Sequence, residues 1–249
     1  MDILYIYNGY HKSESLRYAL RSIAKYGRNV GRVYLVAAEK PDWCSDEVRF
    51  IEYASNPELY KENDITAAIY HAVDNSDIAD RFLISGDDYF YIADTDFDRY
   101  PIYRKGVLPS ATKGKESMGG WKYVQSVVNT RILLTAANLP YDNYCEHAMF
   151  YGDRKLMKRY RHLFDAAAML EYGAVYDSIL GNLLAKHSKL TVVDRKDNKI
   201  DTCGTMAELK AMIGDTEVFS TTDGSMERGI RNILQAEFPE PCKYEKDVS

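Results

Sequence analysis

The ten residues from Phe82 to Tyr91, FLISGDDYFY, constrain this chain more than any other stretch. An apolar, β-prone run from Arg81 to Ser85 meets Gly86 and then two adjacent carboxylates, Asp87 and Asp88, before an aromatic run resumes. Such a run, bounded by glycine, reads as a buried strand, so two like charges sit at its carboxyl end. Partial desolvation of a repelling pair costs on the order of several kcal/mol unless a cation or hydrogen-bond donors compensate. Mg²⁺ and Mn²⁺ are hard, oxygen-seeking ions that share such carboxylates with a substrate's phosphates. A tight turn with both aspartates in water is the other reading of Gly-Asp-Asp. Two D-x-D strings, Asp94 to Asp96 and Asp96 to Asp98, compete for the metal role, but Ala93 to Asp98 follows the aromatic run and reads as the turn that closes a hairpin.

A single α/β domain suits 249 residues, 46% of them hydrophobic. The net charge of -5 argues against a nucleic-acid binder with a broad basic surface, although the cluster Arg154 to Arg161 keeps DNA among the acceptors not excluded. Four scattered cysteines, Cys44, Cys145, Cys203 and Cys242, form no C-x-x-C pair and read as reduced thiols of a cytoplasmic protein. The first residues, MDILYIYNGYHKSES, lack the pattern of a signal peptide, and no apolar run reaches the roughly 20 residues of a membrane span. Twenty-one tyrosines suit clefts for sugars and nucleobases, because a phenol offers both a stacking face and a hydroxyl; they equally suit a covered sheet.

In chain order, Ile3 to Tyr7 reads as strand one and Asn8-Gly9 as its turn, a place where backbone amides approach a nucleotide or where a strand simply enters a helix. Ser13 or Ser15 then caps a helix to Tyr26, with Leu16, Ala19, Leu20 and Ile23 as its buried stripe and Arg17 and Arg21 one turn apart. Strands over Arg32 to Ala37 and Arg49 to Tyr53 precede a helix capped by Asp64, and the opening stretch is the fourth strand. Pro101 to Val107 reads as another strand. The loop Pro109 to Trp121 is long and polar, and its end, Gly119-Gly120-Trp121, offers backbone and an indole face to an acceptor. Helices over Lys122 to Leu139 and Asp165 to Lys186 flank Tyr144 to Tyr151, where His147 is either a ligand or proton-transfer group or a locally bonded core histidine. The cationic run Asp153 to His162 is either a diphosphate cradle or a wetted helix face. Leu190 to Val193 and Glu217 to Thr221 read as late strands, and Asp223-Gly224-Ser225 opens a final helix that ends before Pro239.

Five ordered segments resemble the stealth-type sugar-phosphate transferases, a family built on a GT-A-like core. They are DILYIYNG, SLRYALRSIAKYGRNVGRVYLVAAEKPDW, DRFLISGDDYFY, EHAMF and TTDGSMERGIRNILQAEFPEPCKYEK. This sequence departs from the family at Ser85-Gly86, where an aromatic and an asparagine are usual, and at Cys242, where serine is usual. The resemblance implies an α/β, GT-A-like (Rossmann-like) fold with a mostly parallel central sheet flanked by helices and a C-terminal helical elaboration. Residues 1–108 would form a nucleotide-sugar half and 109–249 an acceptor half. It implies further that Asn8 and Gly9 contact the nucleotide, that Arg17 and Arg21 stabilise phosphate or the sheet edge, that Asp87 and Asp88 serve a metal diphosphate, and that His147 and Asp223 line the reaction centre. The expectation is therefore a glycosyltransferase dependent on Mn²⁺ or Mg²⁺. His147 would be a third metal ligand or a proton-transfer group, Asp88 and Asp223 would be catalytic, and Gly120 and Trp121 would face a glycan or small-molecule acceptor. A sugar-1-phosphate transferase and a non-catalytic nucleotide-sugar or polysaccharide-binding module are the alternatives.

Overall fold

The computed structural model describes residues 1–7, 14–111, 120–144, 146–195, 198–222 and 224–246. The chain runs β1 (Asp2–Ile6), α1 (Ser15–Tyr26), β2 (Gly27–Arg28), β3 (Val33–Ala37), β4 (Val48–Glu52), α2 (Lys61–Asn75), β5 (Arg81–Gly86), β6 (Tyr89–Tyr91), β7 (Thr95–Asp96) and β8 (Ile102–Arg104). It continues with α3 (Trp121–Ala136), β9 (Phe150–Asp153), α4 (Arg154–Arg159), α5 (Arg161–Ala168), α6 (Tyr176–His187), β10 (Val192–Asp194), β11 (Lys199–Ile200), α7 (Met206–Ile213), β12 (Val218–Thr221) and α8 (Arg231–Glu237).

The central sheet has the order β4-β3-β1-β5-β9, parallel throughout except for β9, which runs antiparallel to β5. Its inner strands are apolar on both faces, as a sheet covered by helices requires: Ile3, Leu4, Tyr5, Phe82, Leu83 and Ile84 are essentially inaccessible. Helix α2 packs on β1 and β3, and α6 packs on β9. This is the α/β, mostly parallel architecture expected from the sequence.

The strand order creates a topological switch. From β1 the chain moves outward through β3 to β4, then returns on the other side of β1 as β5. Loops leaving β1 and β5 at their carboxyl ends therefore diverge, and in open α/β sheets that crevice is where ligands bind. Residues from both halves of the chain build its surroundings, since β9 pairs with β5 and β12 pairs with β6.

Several local expectations are corrected. Asp64 does not cap a helix; it lies inside α2, where its carboxylate accepts from Tyr53 Oη (2.8 Å) and the Asn56 amide (3.0 Å). The long helix expected over Asp165 to Lys186 is two helices, because Gly173 adopts φ +62° and a side chain there would collide with Asn63. Gly181, by contrast, sits inside α6 with its α-carbon face against the Tyr144 ring, so helix and aromatic approach closely there. The final helix begins later than expected, at Arg231, after a kink at Arg228 and Gly229.

Candidate active site

The Asp87-Asp88 pair forms the turn between β5 and β6, at the carboxyl end of the sheet and beside the switch crevice. Turn and charged site are one feature here, because the turn is not fully wetted. Both residues are half-buried, and Gly86 leaves just enough room for the Asp88 carboxylate: a β-carbon on residue 86 would lie 2.9 Å from Asp88 Oδ1. Burial raises the Asp88 carboxyl above the usual aspartate range, and the charges of His147, Lys199 and Lys61 oppose that rise. Across the crevice, just past β1, the Tyr7 phenol is pushed up by burial and by the charge of Asp87.

Three separate registers bring these groups together. Strand β9 pairs Phe150 with Ile84, so the residues preceding Phe150, His147 among them, run alongside the carboxyl end of β5. Strand β12 runs antiparallel to β6, with Ser220 opposite Tyr89, so its carboxyl end heads for the aspartate turn, and β11 carries Lys199 beside Ser220. Lys61 opens α2. His147 was legible as a candidate in the sequence; Lys61 and Lys199 were not, since an exposed lysine at a helix start or in a two-residue strand carries no local signal.

Next to Lys61 stand an aromatic row and a buried acid. Tyr60 meets the Tyr172 ring edge-on at 5.4 Å, and Tyr172 in turn meets Trp121 at 5.1 Å. Trp121, expected on the acceptor side, thus begins α3 at the end of a half-exposed aromatic row that leads back to Lys61; Gly120, with φ +131°, is the residue on which the chain turns into that helix. Glu62 is buried, with its carboxyl pushed up to about 7 by burial and by the charge of Asp177 against the opposing charge of Lys61.

Other expected site residues are placed differently. Asn8, Gly9 and Asp223 lie outside the described residues, although Thr222 and Gly224 on either side of Asp223 follow β12 toward the turn. Arg17 and Arg21 are engaged by the C-terminal segment: Arg21 chelates Glu245 through Nε (2.6 Å) and Nη2 (2.8 Å), and Arg17 lies 3.2 Å from the same carboxylate while stacking on Trp43. The cationic run 153–162 lies at the opposite, amino end of β5, where Arg154 donates to the Ser76 and Ile78 carbonyls, Lys155 pairs with Asp80 and Arg161 pairs with Asp74. It is a set of structural ties and not a diphosphate cradle. The D-x-D strings are likewise structural, with Asp96 accepting from the Asp98 amide (3.1 Å) and Asn29 Nδ2 (2.7 Å).

Among the described residues no group of three or more His, Cys, Asp or Glu is arranged to hold a metal ion, so Asp87, Asp88 and His147 do not form a ready three-ligand site. Two carboxylates still fit a Mg²⁺ or Mn²⁺ ion that takes its remaining oxygens from a bound diphosphate and water, the usual way such ions are shared with nucleotides. An open cleft of about 740 Å³ is lined by Arg104, Lys105, Val107, Asp142, Asp194 and Arg195; Glu146 pairs with Lys105 and Arg195 of that lining, and the aspartate turn is not part of it. No described helix is long and apolar enough to cross a membrane.

No model of a known protein family matches this chain, and no curated protein matches it. Two solved structures of the glycosyltransferase GlyE from Streptococcus pneumoniae TIGR4 are similar in fold. One shares 12% identity with a TM-score of 0.41, covering 79% of this chain and 45% of its own. The apo form shares 12% with a TM-score of 0.39, covering 77% and 44%. This chain thus spans less than half the length of those structures. At that identity and TM-score the likeness bears on neither activity nor substrate.

Proposed function

We propose that this protein is a glycosyltransferase that moves a sugar from a nucleotide-sugar donor to a hydroxyl-bearing acceptor. The observation that carries the reading is the half-buried Asp88 carboxyl at the switch crevice, raised by burial and faced by lysines from two unrelated elements. An anion alone would not gather beside two aspartates, nor a cation alone beside two lysines. A metal-bound diphosphate satisfies both sets at once.

In this reading Asp87 and Asp88 hold the divalent ion, Mg²⁺ or Mn²⁺, which when bound neutralises charge developing on a diphosphate leaving group. Lys61 and Lys199 donate to phosphate oxygens from the rim, adding charge-assisted hydrogen bonds that strengthen as the leaving group separates. Tyr7 stands on the β1 side of the crevice, near enough for the Asp87 charge to raise its phenol. The row Tyr60, Tyr172 and Trp121 gives a sugar ring apolar edges and phenol hydroxyls, which supports a glycan as the acceptor class.

The sequence motifs shared with stealth-type transferases support a second reading, transfer of a sugar 1-phosphate, which needs the same metal-held diphosphate. One experiment separates the two. The protein is incubated with a panel of nucleotide sugars and Mn²⁺, and released nucleotides are resolved. Nucleoside diphosphate release that Asp88→Asn abolishes is the expected result. Nucleoside monophosphate release selects sugar-phosphate transfer, and binding of the donor without any release by the parent protein selects a non-catalytic module.

A further inference from the structure

Glu62 is the second residue of α2, next to Lys61, whose charge reaches Asp88. Its side chain is buried, at 6% exposure, yet its carboxylate accepts no hydrogen bond among the described residues; only its backbone carbonyl is used, by Thr66 Oγ1 at 2.8 Å. A carboxylate at a helix start ordinarily caps free amides, and that would be the bland account of this residue. It does not apply here. The Asn63 and Asp64 amides bond instead to the Tyr60 carbonyl at 2.9 and 3.1 Å, and no side chain caps the helix.

The residues on either side of Glu62 are held in place. Its neighbour Asn63 donates to the Leu170 carbonyl at 3.2 Å, and Tyr60 on the other side is locked against Tyr172. Asp177, the second residue of α6, faces Glu62 from the start of a second helix. The charged groups facing Glu62 are therefore Lys61 on its own helix and Asp177 on α6. Burial dominates, so the carboxyl titrates at about 7, where a proton acceptor in a neutral solution is most effective. A largely buried carboxylate with no protein donor, in the first turn of the helix that carries the diphosphate lysine and beside Tyr60 of the aromatic row, is free to exchange a proton.

We infer that Glu62 is the general base that takes the proton from the acceptor hydroxyl as it attacks the donor sugar. This rests on the proposed glycosyl transfer. The acceptor O–H bond breaks with its proton passing to a Glu62 carboxylate oxygen, and the acceptor oxygen forms a bond to the anomeric carbon. The bond from that carbon to the diphosphate oxygen breaks, its electron pair leaving with the nucleoside diphosphate. Direct displacement of this kind inverts the anomeric configuration.

The test uses Glu62→Gln and Glu62→Asp in the full chain, with the nucleotide-sugar panel as substrates and Mn²⁺ with each nucleoside diphosphate as the binding probe. Calorimetry should show Glu62→Gln binding the probe with affinity within about twofold of the parent, while diphosphate release falls by about 100-fold or more, the usual contribution of a general base. The parent's rate should decline as pH is lowered through about 7, Glu62→Gln should lose that limb, and Glu62→Asp should retain it at a reduced rate. Retention of release within about threefold by Glu62→Gln, an unchanged acid limb in that variant, or a product of retained configuration overturns the assignment alone. Binding lost together with release assigns Glu62 to a structural role and also overturns it. No diphosphate release by the parent with any donor overturns the proposed function, and the assignment with it.

Discussion

Arg21 and Glu245, 224 residues apart, form a two-pronged ion pair at 2.6 and 2.8 Å with both side chains largely buried. The same arginine also donates to the Phe238 carbonyl at 2.8 Å, and Glu245 Oε1 accepts from the Cys242 amide at 3.1 Å. The segment 243–246 lies along residues 43–45, tied by Ser45 N to Tyr244 O (3.0 Å) and Lys246 N to Trp43 O (2.8 Å). The first helix, the loop after β3 and the end of the described chain are thus one clasp at the carboxyl edge of the sheet. Removing Arg21 leaves the buried Glu245 carboxylate to Arg17 and the Cys242 amide, and removing Glu245 leaves Arg21 with backbone carbonyls alone. Arg21→Ala and Glu245→Ala should each lower unfolding free energy by about 3–5 kcal/mol, read from urea denaturation, and the double variant should cost much less than the sum.

Glu62 makes stability depend on pH. Below about 4.5, glutamate's ordinary value, the carboxyl is neutral in folded and unfolded chains alike; above it the unfolded chain ionises while the folded chain resists until about 7. Its folded pKa is raised, so its contribution is greatest at low pH and is lost as pH rises across that window, by roughly 3 kcal/mol at most. Glu62→Gln should therefore unfold at a higher temperature than the parent at pH 8 and close to the parent's at pH 4. A variant less stable than the parent at pH 8 would contradict the burial argument.

Lys61 and Lys199 act from the rim, where solvent screens them. Each substitution to alanine should weaken Mn²⁺-dependent nucleoside diphosphate binding by about two- to fivefold, the range of an exposed ion pair, with a larger loss at low ionic strength. Calorimetry at two salt concentrations checks both points.

Gly152 on β9 faces the ring of Phe82, and a β-carbon there would fall 2.3 Å from Phe82 Cζ. Phe82 is fully enclosed and has nowhere to go. Gly152→Ala should cost about 1–3 kcal/mol in stability by overpacking, measured by chemical denaturation. It should also reduce turnover by forcing β9, and the His147 segment leading into it, away from β5.

If Trp121, Tyr172 and Tyr60 guide an acceptor glycan, Trp121→Ala and Tyr172→Ala should raise the acceptor KM by about three- to tenfold, the value of one aromatic contact, and leave hydrolysis of the donor by water unchanged. Initial rates at varied acceptor concentration separate the two effects.

Much of the frame was legible in the sequence, and for a physical reason: the buried runs at Ile3, Val33 and Phe82 need cover on both faces, which a parallel sheet between helices provides. The pattern was less informative where backbone groups competed with propensity, as at Asp64, which bonds back to Tyr53 and Asn56, and at Gly173, where close approach of Asn63 breaks a helix. Spacing left the arginines of the first helix open between a phosphate and solvent, and the carboxylate that engages them, at position 245, lies at the far end of the chain.

By itself, the sequence determined that two aspartates would sit at the carboxyl end of a buried strand, because an apolar run ending in Gly-Asp-Asp leaves them nowhere else. Only the tertiary structure decided what faces them. The β5–β9 register brings His147 alongside, the β6–β12 and β11–β12 pairings bring Lys199, and the return of the chain across β1 brings Lys61. Burial and charge act through space, and distance through space is set by strand pairing across as many as 100 or more residues of chain, which no local pattern encodes.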